Sequence, residues 1–575
     1  MATQIKFGTS GWRAVVAEEF TVENIRRAVT GIARYVASQK PSGARLVVGR
    51  DPRFMGESFV DIAAGILEAH GVQPLVITDA APTPAISWEV MRRKADGAIN
   101  FTASHNPPEY NGIKFSTPDG APALPEVTKK IEAEIAKIDR AEPTEAAKVK
   151  REEIEVKSHY LARLAEVVDL GAIKKSGLKV AFDPLWGAAR GYSDSLLRDA
   201  GIGIATVHDY RDVLFGGHAP EPDGHLLNDL RAKMKETGAK IGIATDGDAD
   251  RFGIVDEDGT FISPNYIIGL LFDYLVESRG WKNGVAKSVA TTNLVNALAD
   301  YHKVELHETP VGFKYIGELI KQDKIAIGGE ESAGLTIRYH VPEKDGVLAG
   351  LLCCEMVAKR GKSLSAQLKE LFVKVGSFFP ERQNFHLTEE EKSKFTVKLQ
   401  TNPADFAGHK VSKVVRTDGL KLVLDDGSWV CYRVSGTEPV VRAYTEARNE
   451  KEMEQLQQVW NLAYGIRRKL ATWGLFLVAA LLAVHVLFGT NGWMAYEKKK
   501  SEYRKVSEEV QQIQLENERL QQQITKLKSN PETIVKEARE QLRYAKPGEV
   551  IYVLPPPKQD MTSTAQANAV TPQKK

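Results

Sequence analysis

Nothing constrains this chain more than the run from Leu470 to Tyr496, in which no residue carries a full charge. Within it, the 19 residues Leu470–Phe488 (LATWGLFLVAALLAVHVLF) are almost wholly apolar. At 1.5 Å per residue they rise about 28 Å, close to the hydrocarbon core of a bilayer. His485, the one ionisable side chain, lies near the far end, within reach of an interface. A core helix of this length would keep a polar face, so a transmembrane helix is expected over 470–490. About 460 residues precede it, a position that excludes a cleaved signal peptide. The mean hydropathy of −0.28 averages this segment away.

The region ahead of the span is α/β in pattern. Short β-branched runs, Leu46–Gly49, Leu178–Phe182 and Lys240–Ala244, end in Gly, Asp or Pro, and helical stretches such as Ser58–Ala69 lie between them. Strands alternating with helices predict parallel sheets covered on both faces. Similar strand–turn–helix units near residues 45, 180 and 287 suggest about three related domains. The charged stretch Lys129–Lys157 reads as helix plus exposed linker. From Ser377 to Tyr464 the pattern becomes strand-rich and closes with a polar helix, Glu450–Leu462. The 77 Lys+Arg nearly cancel 75 Asp+Glu, which removes the bulk electrostatic case for a nucleic-acid binder. Three cysteines, two of them adjacent (Cys353, Cys354), cannot form a disulfide framework and point to a reducing compartment.

Beyond the span the period becomes seven. Tyr503, Val510, Asn517 and Ile524 share one seam position, and Val506, Ile513, Leu520 and Leu527 the other, predicting a coiled coil over 500–530. Asn517, at an a position, would fix register and oligomer state. Pro531 stops the helix; a short helix Thr533–Leu542, Lys546-Pro547-Gly548 and a β-like run Val550–Leu554 follow. The Pro/Gln/Thr-rich tail, 556–575, is expected to be disordered.

Four motifs before the span carry chemistry. Thr102-Ala103-Ser104-His105-Asn106-Pro107 presents a serine between small residues ahead of a turn-forming Asn-Pro. Asp246-Gly247-Asp248-Ala249-Asp250-Arg251 follows a strand with three alternate carboxylates, which can converge on one hard divalent cation. An EF-hand reading fails, because no helix precedes that loop. Gly328-Gly329-Glu330-Glu331-Ser332-Ala333-Gly334 places acceptors and a hydroxyl among glycines, suited to sugar hydroxyls. Arg433-Val434-Ser435-Gly436-Thr437-Glu438-Pro439, with Arg442 nearby, can cradle a phosphate.

Together with Phe7-Gly8-Thr9-Ser10-Gly11-Trp12-Arg13 and Asn111-Gly112-Ile113-Lys114, these motifs resemble the α-D-phosphohexomutase family over residues 1–462, about four fifths of the chain. The resemblance implies three related mixed α/β/α domains, 1–150, 151–258 and 259–376, and a smaller α+β domain, 377–464. It implies that Ser104 is a phosphoserine, and that Asp246, Asp248 and Asp250 bind Mg²⁺ together with that serine's phosphoryl group. Glu330 and Ser332 would read the sugar, with Arg433, Ser435, Gly436, Thr437 and Arg442 on the non-reacting phosphate. Arg13, Lys114 and Arg251 could stabilise charge on the transferring group. His105, Lys114 and His340 are all candidates for proton transfer, and Lys314 for a sugar-phosphate contact. A hexose 1,6-bisphosphate would be intermediate and activator. Gly-Thr-Ser-Gly and Gly-Glu-Glu-Ser-Ala-Gly look more like phosphoglucomutases. Phosphoglucosamine mutases usually show Gly-Thr-Asp-Gly, and mannomutase-type enzymes often carry His where Gly334 stands. Phosphomannose and phosphoglucosamine remain alternatives.

The segment 466–555 resembles the FtsB/DivIC septum-formation-initiator family through a membrane helix, a short coiled coil and the run Ala538-Arg539-Glu540-Gln541-Leu542-Arg543-Tyr544-Ala545-Lys546-Pro547-Gly548-Glu549. The resemblance implies a single-pass division scaffold whose coil pairs with an FtsL-type partner or with itself. Arg467, Arg468 and Lys469 face Lys498, Lys499 and Lys500 across the span, so flanking charge leaves orientation open. Sugar phosphates and Mg²⁺ being cytoplasmic, the mutase half is expected there and the coil outside. The alternatives are a catalytically silent scaffold that only binds sugar phosphate, or two adjacent genes joined by error.

Overall fold

The computed structural model describes residues 4–8, 11–140, 147–434, 440–550 and 552. It divides into two compact units, 1–462 and 463–575. Ser435, Gly436, Thr437 and the disordered tail expected at 556–575 lie outside the described residues, as does most of the β-like run at 550–554.

The first unit holds four sheets. In the first, Arg45–Arg50 lies between Gln73–Ile77 and Ala98–Phe101 as parallel neighbours, and Ala98–Phe101 turns back antiparallel into Tyr110–Ser116. In the second, Lys179–Asp183 lies between Gly203–Thr206 and Ile241–Thr245, and Ile241–Thr245 turns back into Phe252–Asp256. In the third, Gly284–Ser288 lies between Leu306–Thr309 and Ile325–Glu330, and Ile325–Glu330 turns back into Gly334–Ile337. The same four-strand plan thus occurs three times. Its central strands are the ones whose runs near 45, 180 and 287 look alike in sequence. The first sheet also takes Glu152–Ile154 as a parallel edge strand beside Gln73–Ile77, so it extends past residue 150. The fourth sheet, Asp405–Phe406 through Phe379–His386, is antiparallel throughout.

Central strands such as Leu46–Arg50 and Ile241–Thr245 are buried on both faces, which is why their sequences are continuous apolar runs rather than alternations. One apolar core, made almost wholly of residues from Tyr160 to Phe378 with Ala85 joining from the first domain, serves the second and third domains together. The helix Gly346–Arg360 makes that sharing possible: it packs on Ile241–Thr245 and Phe252–Asp256 as well as on its own Gly334–Ile337. Its entry is close. A Cβ on Gly346 would stand 2.2 Å from the Arg251 carbonyl oxygen, so only glycine fits.

The seam between the third and fourth domains joins a small apolar cluster, Ala290 with Trp429, Cys431 and Tyr444, to buried polar contacts. Glu446 accepts from the Trp429 indole (2.6 Å), the Asn293 backbone N–H (2.9 Å) and the Thr292 hydroxyl. Lys421 donates to the Val289 carbonyl at 2.9 Å and lies over the Trp429 ring.

The helix Glu450–Phe488 contains both the polar helix and the apolar run that the sequence suggests, and it stops at the Gly489–Gly492 turn. Among the described residues the one helical stretch long and apolar enough to cross a membrane is Phe476–Ser529, which begins with the apolar end of this helix. In the second unit, its side chains from Phe476 to Phe488 are exposed along their length. Helices Trp493–Ser529 and Pro531–Gln541 follow. The heptad residues Tyr503, Val506, Val510, Ile513, Leu520 and Ile524 are all exposed.

The seam between the third and fourth domains yields a pH prediction. Lys287 is wholly buried and donates to the Thr291 carbonyl and Asn293 Oδ1, each at 2.9 Å. Burial, and then repulsion from Lys421, lowers its amine to about 7 from 10.5. The stability it contributes is therefore complete above the unfolded value and is lost as pH falls through about 7. Relative to Lys287→Met, the wild-type chain should gain stability from pH 7 to pH 10, by up to about 1.4 kcal/mol per pH unit. Urea unfolding at the two pH values measures this, and parallel shifts in both chains would refute it.

Candidate active site

Each of the three repeated hairpins carries one of the motifs in its turn. Residues 102–109 join the first pair of strands, 246–251 the second and 331–333 the third. Each turn holds one non-glycine residue in the left-handed region: Ser104 (φ 54°), Ala249 (φ 59°) and Ala333 (φ 68°). Such a conformation costs roughly 1–2 kcal/mol for an L-residue and persists where the surroundings enforce it.

The serine and carboxylate turns touch. The Ser104 hydroxyl donates to Asp246 Oδ2 at 2.6 Å, and both residues are buried. The turns approach so closely that a Cβ on Gly247 would lie 2.5 Å from the Ser104 carbonyl oxygen. Asp246, Asp248 and Asp250 are fully buried and can each place an oxygen within 4.8 Å of the others. Unscreened, such a cluster repels itself, and lysines answer it. Lys114 donates to Asp248 Oδ2 (2.5 Å) and Asp250 Oδ2 (2.7 Å), and Lys344 pairs with Asp250 Oδ2 at 2.8 Å. Burial opposes ionisation of Asp250, but Lys114 and then Lys344 outweigh it and hold that carboxyl well below its usual range. Burial, with Asp250 and Asp248 alongside, pushes Asp246 well above its own. Lys114 is held strongly protonated, because the two aspartates outweigh its burial.

The second oxygens of Asp248 and Asp250, both Oδ1, are buried without a hydrogen-bond partner. Buried carboxylate oxygens left bare are costly. Three oxygen-donor side chains around two bare oxygens fit a hard divalent cation of the Mg²⁺ type. Asp248 is placed by Thr83, whose hydroxyl and backbone N–H donate to its Oδ2 and carbonyl at 2.5 and 2.8 Å.

The other residues singled out by sequence distribute around this centre. Arg251 donates its backbone N–H to Asp246 Oδ1 at 3.0 Å and its guanidinium to Glu221 at 3.1 Å. Arg13 donates to Asn106 Oδ1 at 2.7 Å. His105 Nδ1 lies 3.5 Å from the Ser104 oxygen; burial, then Arg251 and Arg13, lower its pKa well below the usual value, keeping the ring neutral. Glu330 is buried, accepts from the Gly312 N–H at 2.7 Å, and is raised by burial and then Glu331 to about 7. Ser332 is half-buried in the same turn. Lys314, Lys114, Glu343 and Lys344 line one cleft with Gly8 and Phe313.

Two residues sit apart from that cleft. His340 is buried with Nε2 2.7 Å from Asp345 Oδ2, which also accepts from the Tyr160 hydroxyl at 2.6 Å, while Asp345 Oδ1 caps helix Gly346–Arg360. This nitrogen is spent on a helix cap. Arg433 grips Asp418 at 2.7 Å, and Asp418 accepts from the Val311 N–H at 3.0 Å; Arg442 is the cross-strand neighbour of Arg433.

Sequence reasoning missed Lys344, although it lies in the segment that drew attention to His340. It also missed Asp51 and Arg53, whose only signal is charge just past a buried strand, and Thr83, a hydroxyl at the start of helix Thr83–Arg93. Gly334 explains itself here: a Cβ would fall 2.2 Å from Cδ of Lys344.

Known proteins agree with this architecture. The family models for phosphoglucomutase/phosphomannomutase α/β/α domains I, II and III match residues 4–142, 158–259 and 263–375, and the C-terminal domain matches 385–460. The septum formation initiator (DivIC) model matches 478–557. A phosphoglucomutase/phosphomannomutase of Thermococcus kodakarensis is 32% identical over 451 residues, covering 78% of this chain and 96% of its own. A phosphoglucomutase of Komagataeibacter xylinus is 29% identical, covering 78% and 88%. A crystal structure assigned to a phosphomannomutase of Thermus thermophilus superposes with a TM-score of 0.70 at 32% identity, covering 81% of this chain and 100% of that one. With four successive domain matches over a site built this way, the chain belongs to the phosphoglucomutase/phosphomannomutase family of phosphohexomutases, with a septum formation initiator domain at its C-terminal end.

Proposed function

We propose that the first unit interconverts hexose 1-phosphate and hexose 6-phosphate, glucose most readily, through a phosphoserine at Ser104. The observation that carries this is the Ser104 hydroxyl, 2.6 Å from Asp246 in a buried carboxylate cluster with two bare oxygens. In the forward half-reaction the Oγ–P bond of the phosphoserine breaks and a bond forms from phosphorus to the free hydroxyl of the sugar phosphate. The hydroxyl proton passes to a neighbouring base, for which neutral His105, 3.5 Å from the serine oxygen, is a candidate. The hexose 1,6-bisphosphate turns over, and Ser104 takes back the other phosphoryl group. Phosphoryl transfer needs positioning and charge compensation above all.

Asp246, Asp248 and Asp250 would hold Mg²⁺, which when bound supplies positive charge beside the transferring group. Arg13, Lys114 and Arg251 line the approach and add to that charge. Glu330 and Ser332 would receive sugar hydroxyls, and Lys314 would contact a sugar phosphate. Arg433, Arg442, Ser435, Gly436 and Thr437 would hold the phosphate that does not react. That clamp has to accept both sugar orientations, so it belongs on a separate domain.

The apolar helix and the DivIC-like domain support a single-pass membrane tether, and the cytoplasmic supply of sugar phosphates favours the mutase inside and the coil outside. The exposed heptad stripe would pair with a division protein of the FtsL type or with a second copy.

Three measurements test this reading. Ser104→Ala should lower glucose 1-phosphate turnover, assayed with Mg²⁺ and bisphosphate, by at least about 10³-fold. Equal rates in both chains would leave only a sugar-phosphate-binding scaffold. Asp248→Asn should raise the Mg²⁺ concentration for half-maximal activity by at least about tenfold; an unchanged requirement would place the cation elsewhere. The three native cysteines are buried, so single introduced ones report alone. In intact cells an impermeant maleimide should label Gln511→Cys and spare Lys240→Cys, and the opposite pattern would reverse the topology.

A further inference from the structure

Ser104 holds a left-handed backbone conformation that it would not choose unaided, and the structure shows what enforces it. Its N–H donates to the Thr102 hydroxyl oxygen at 2.8 Å, and that hydroxyl donates to Asp51 Oδ2 at 2.6 Å. Its carbonyl accepts from Arg53 Nη2 at 2.8 Å. Asp51 and Arg53 are themselves paired at 3.1 Å, with side chains 0% and 1% exposed. One buried ion pair thus grips the serine at both ends.

Arg53 does more than hold one carbonyl. Nη2 also reaches the Asn106 carbonyl (2.7 Å), and Nη1 reaches those of Pro107 (2.8 Å) and Tyr110 (2.9 Å). With Nε on Asp51, all five guanidinium donors are used. The plane of the group lies over the Phe215 ring at 4.9 Å, in the second domain. The residue after Phe215, Gly216, leaves room for the Trp186 ring, which a Cβ would meet at 2.4 Å. Next to Trp186, Gly187 and Ala188 rest on the carboxylate turn, Ala188 N–H donating to the Gly247 carbonyl at 2.9 Å. The supports of the serine turn and of the carboxylate turn therefore form one closed circuit.

We propose that Arg53 is a positioning residue of the phosphoryl-transfer centre, which, through the Asp51 pair and Phe215, keeps the Ser104 oxygen aimed at the carboxylate cluster. The proposal rests on the phosphoserine reading above. Lysine keeps the charge but has three donors on a point charge, and cannot span four carbonyls and Asp51. In the full chain, Arg53→Lys should lower kcat by about 10²-fold, as a small misplacement of reacting atoms does. KM for the hexose phosphate should stay within about twofold, because Arg53 lies beneath the turn and not in the cleft. The isolated phosphoenzyme should lose its phosphoryl group to water at least about tenfold faster than wild type, a change that a merely stabilising residue would not produce.

A folded Arg53→Lys chain with wild-type kcat and phosphoserine lifetime would overturn the proposal. If Arg53→Lys does not fold, Thr102→Val, which releases the Ser104 N–H from the same pair, decides by the same two readouts. A kcat at least about tenfold lower with KM kept supports the proposal, and unchanged values overturn it. A wild-type chain that never carries phosphate on Ser104 would instead sink the phosphoserine reading, and this inference with it.

Discussion

Asp246, Asp248 and Asp250 bring three fully buried carboxylates together, and Lys114 and Lys344 make the arrangement tolerable. At an effective dielectric of about 20, unit charges 4 Å apart interact by about 4 kcal/mol, so the cluster could not stand alone. The two lysines come from different places. Lys114 lies on the returning strand of the first hairpin and Lys344 on the segment leading into helix Gly346–Arg360. The carboxylate turn of the second domain is thus neutralised only when the first and third domains are both in position. Assembly of the unit and electrostatic completion of the site are one event.

The fused core of the second and third domains follows from the same demand. Helix Gly346–Arg360 begins one residue after Asp345 and two after Lys344, and packing it on the second sheet delivers Lys344 to Asp250. The Asp345 cap, braced by His340 and Tyr160, fixes the start of that helix. His340, a candidate for substrate or proton transfer on sequence grounds, spends its Nε2 on that brace and keeps a buried Nδ1 without a hydrogen-bond partner.

Much of this was legible in the residues. Periodicity located the parallel strands and the apolar helix, because burial on both faces and lipid contact each leave continuous apolar runs. The spacing Asp-x-Asp-x-Asp located the cluster, since alternate carboxylates on one turn converge whatever the surrounding fold. What could not be read was long-range pairing. Lys344 lies some 94 positions from Asp250, and Arg53 some 51 from Ser104; nothing local distinguishes either from a surface cation. The likeness of the three hairpin turns was hidden for a related reason. Their strands keep a common plan while their turns differ in length and chemistry, so the repeat lives in topology and not in the residues that matter most.

Gly334 has a consequence for how this centre could change its sequence. The missing side chain at this position is the corridor through which the stem of Lys344 runs to Asp250. A larger residue here would have to displace that stem and loosen the counter-charge on the carboxylate turn. The side chain carried by the third domain's turn and the charge balance of the second domain's turn are therefore not independent variables. A lineage altering one would have to retune the other in the same step.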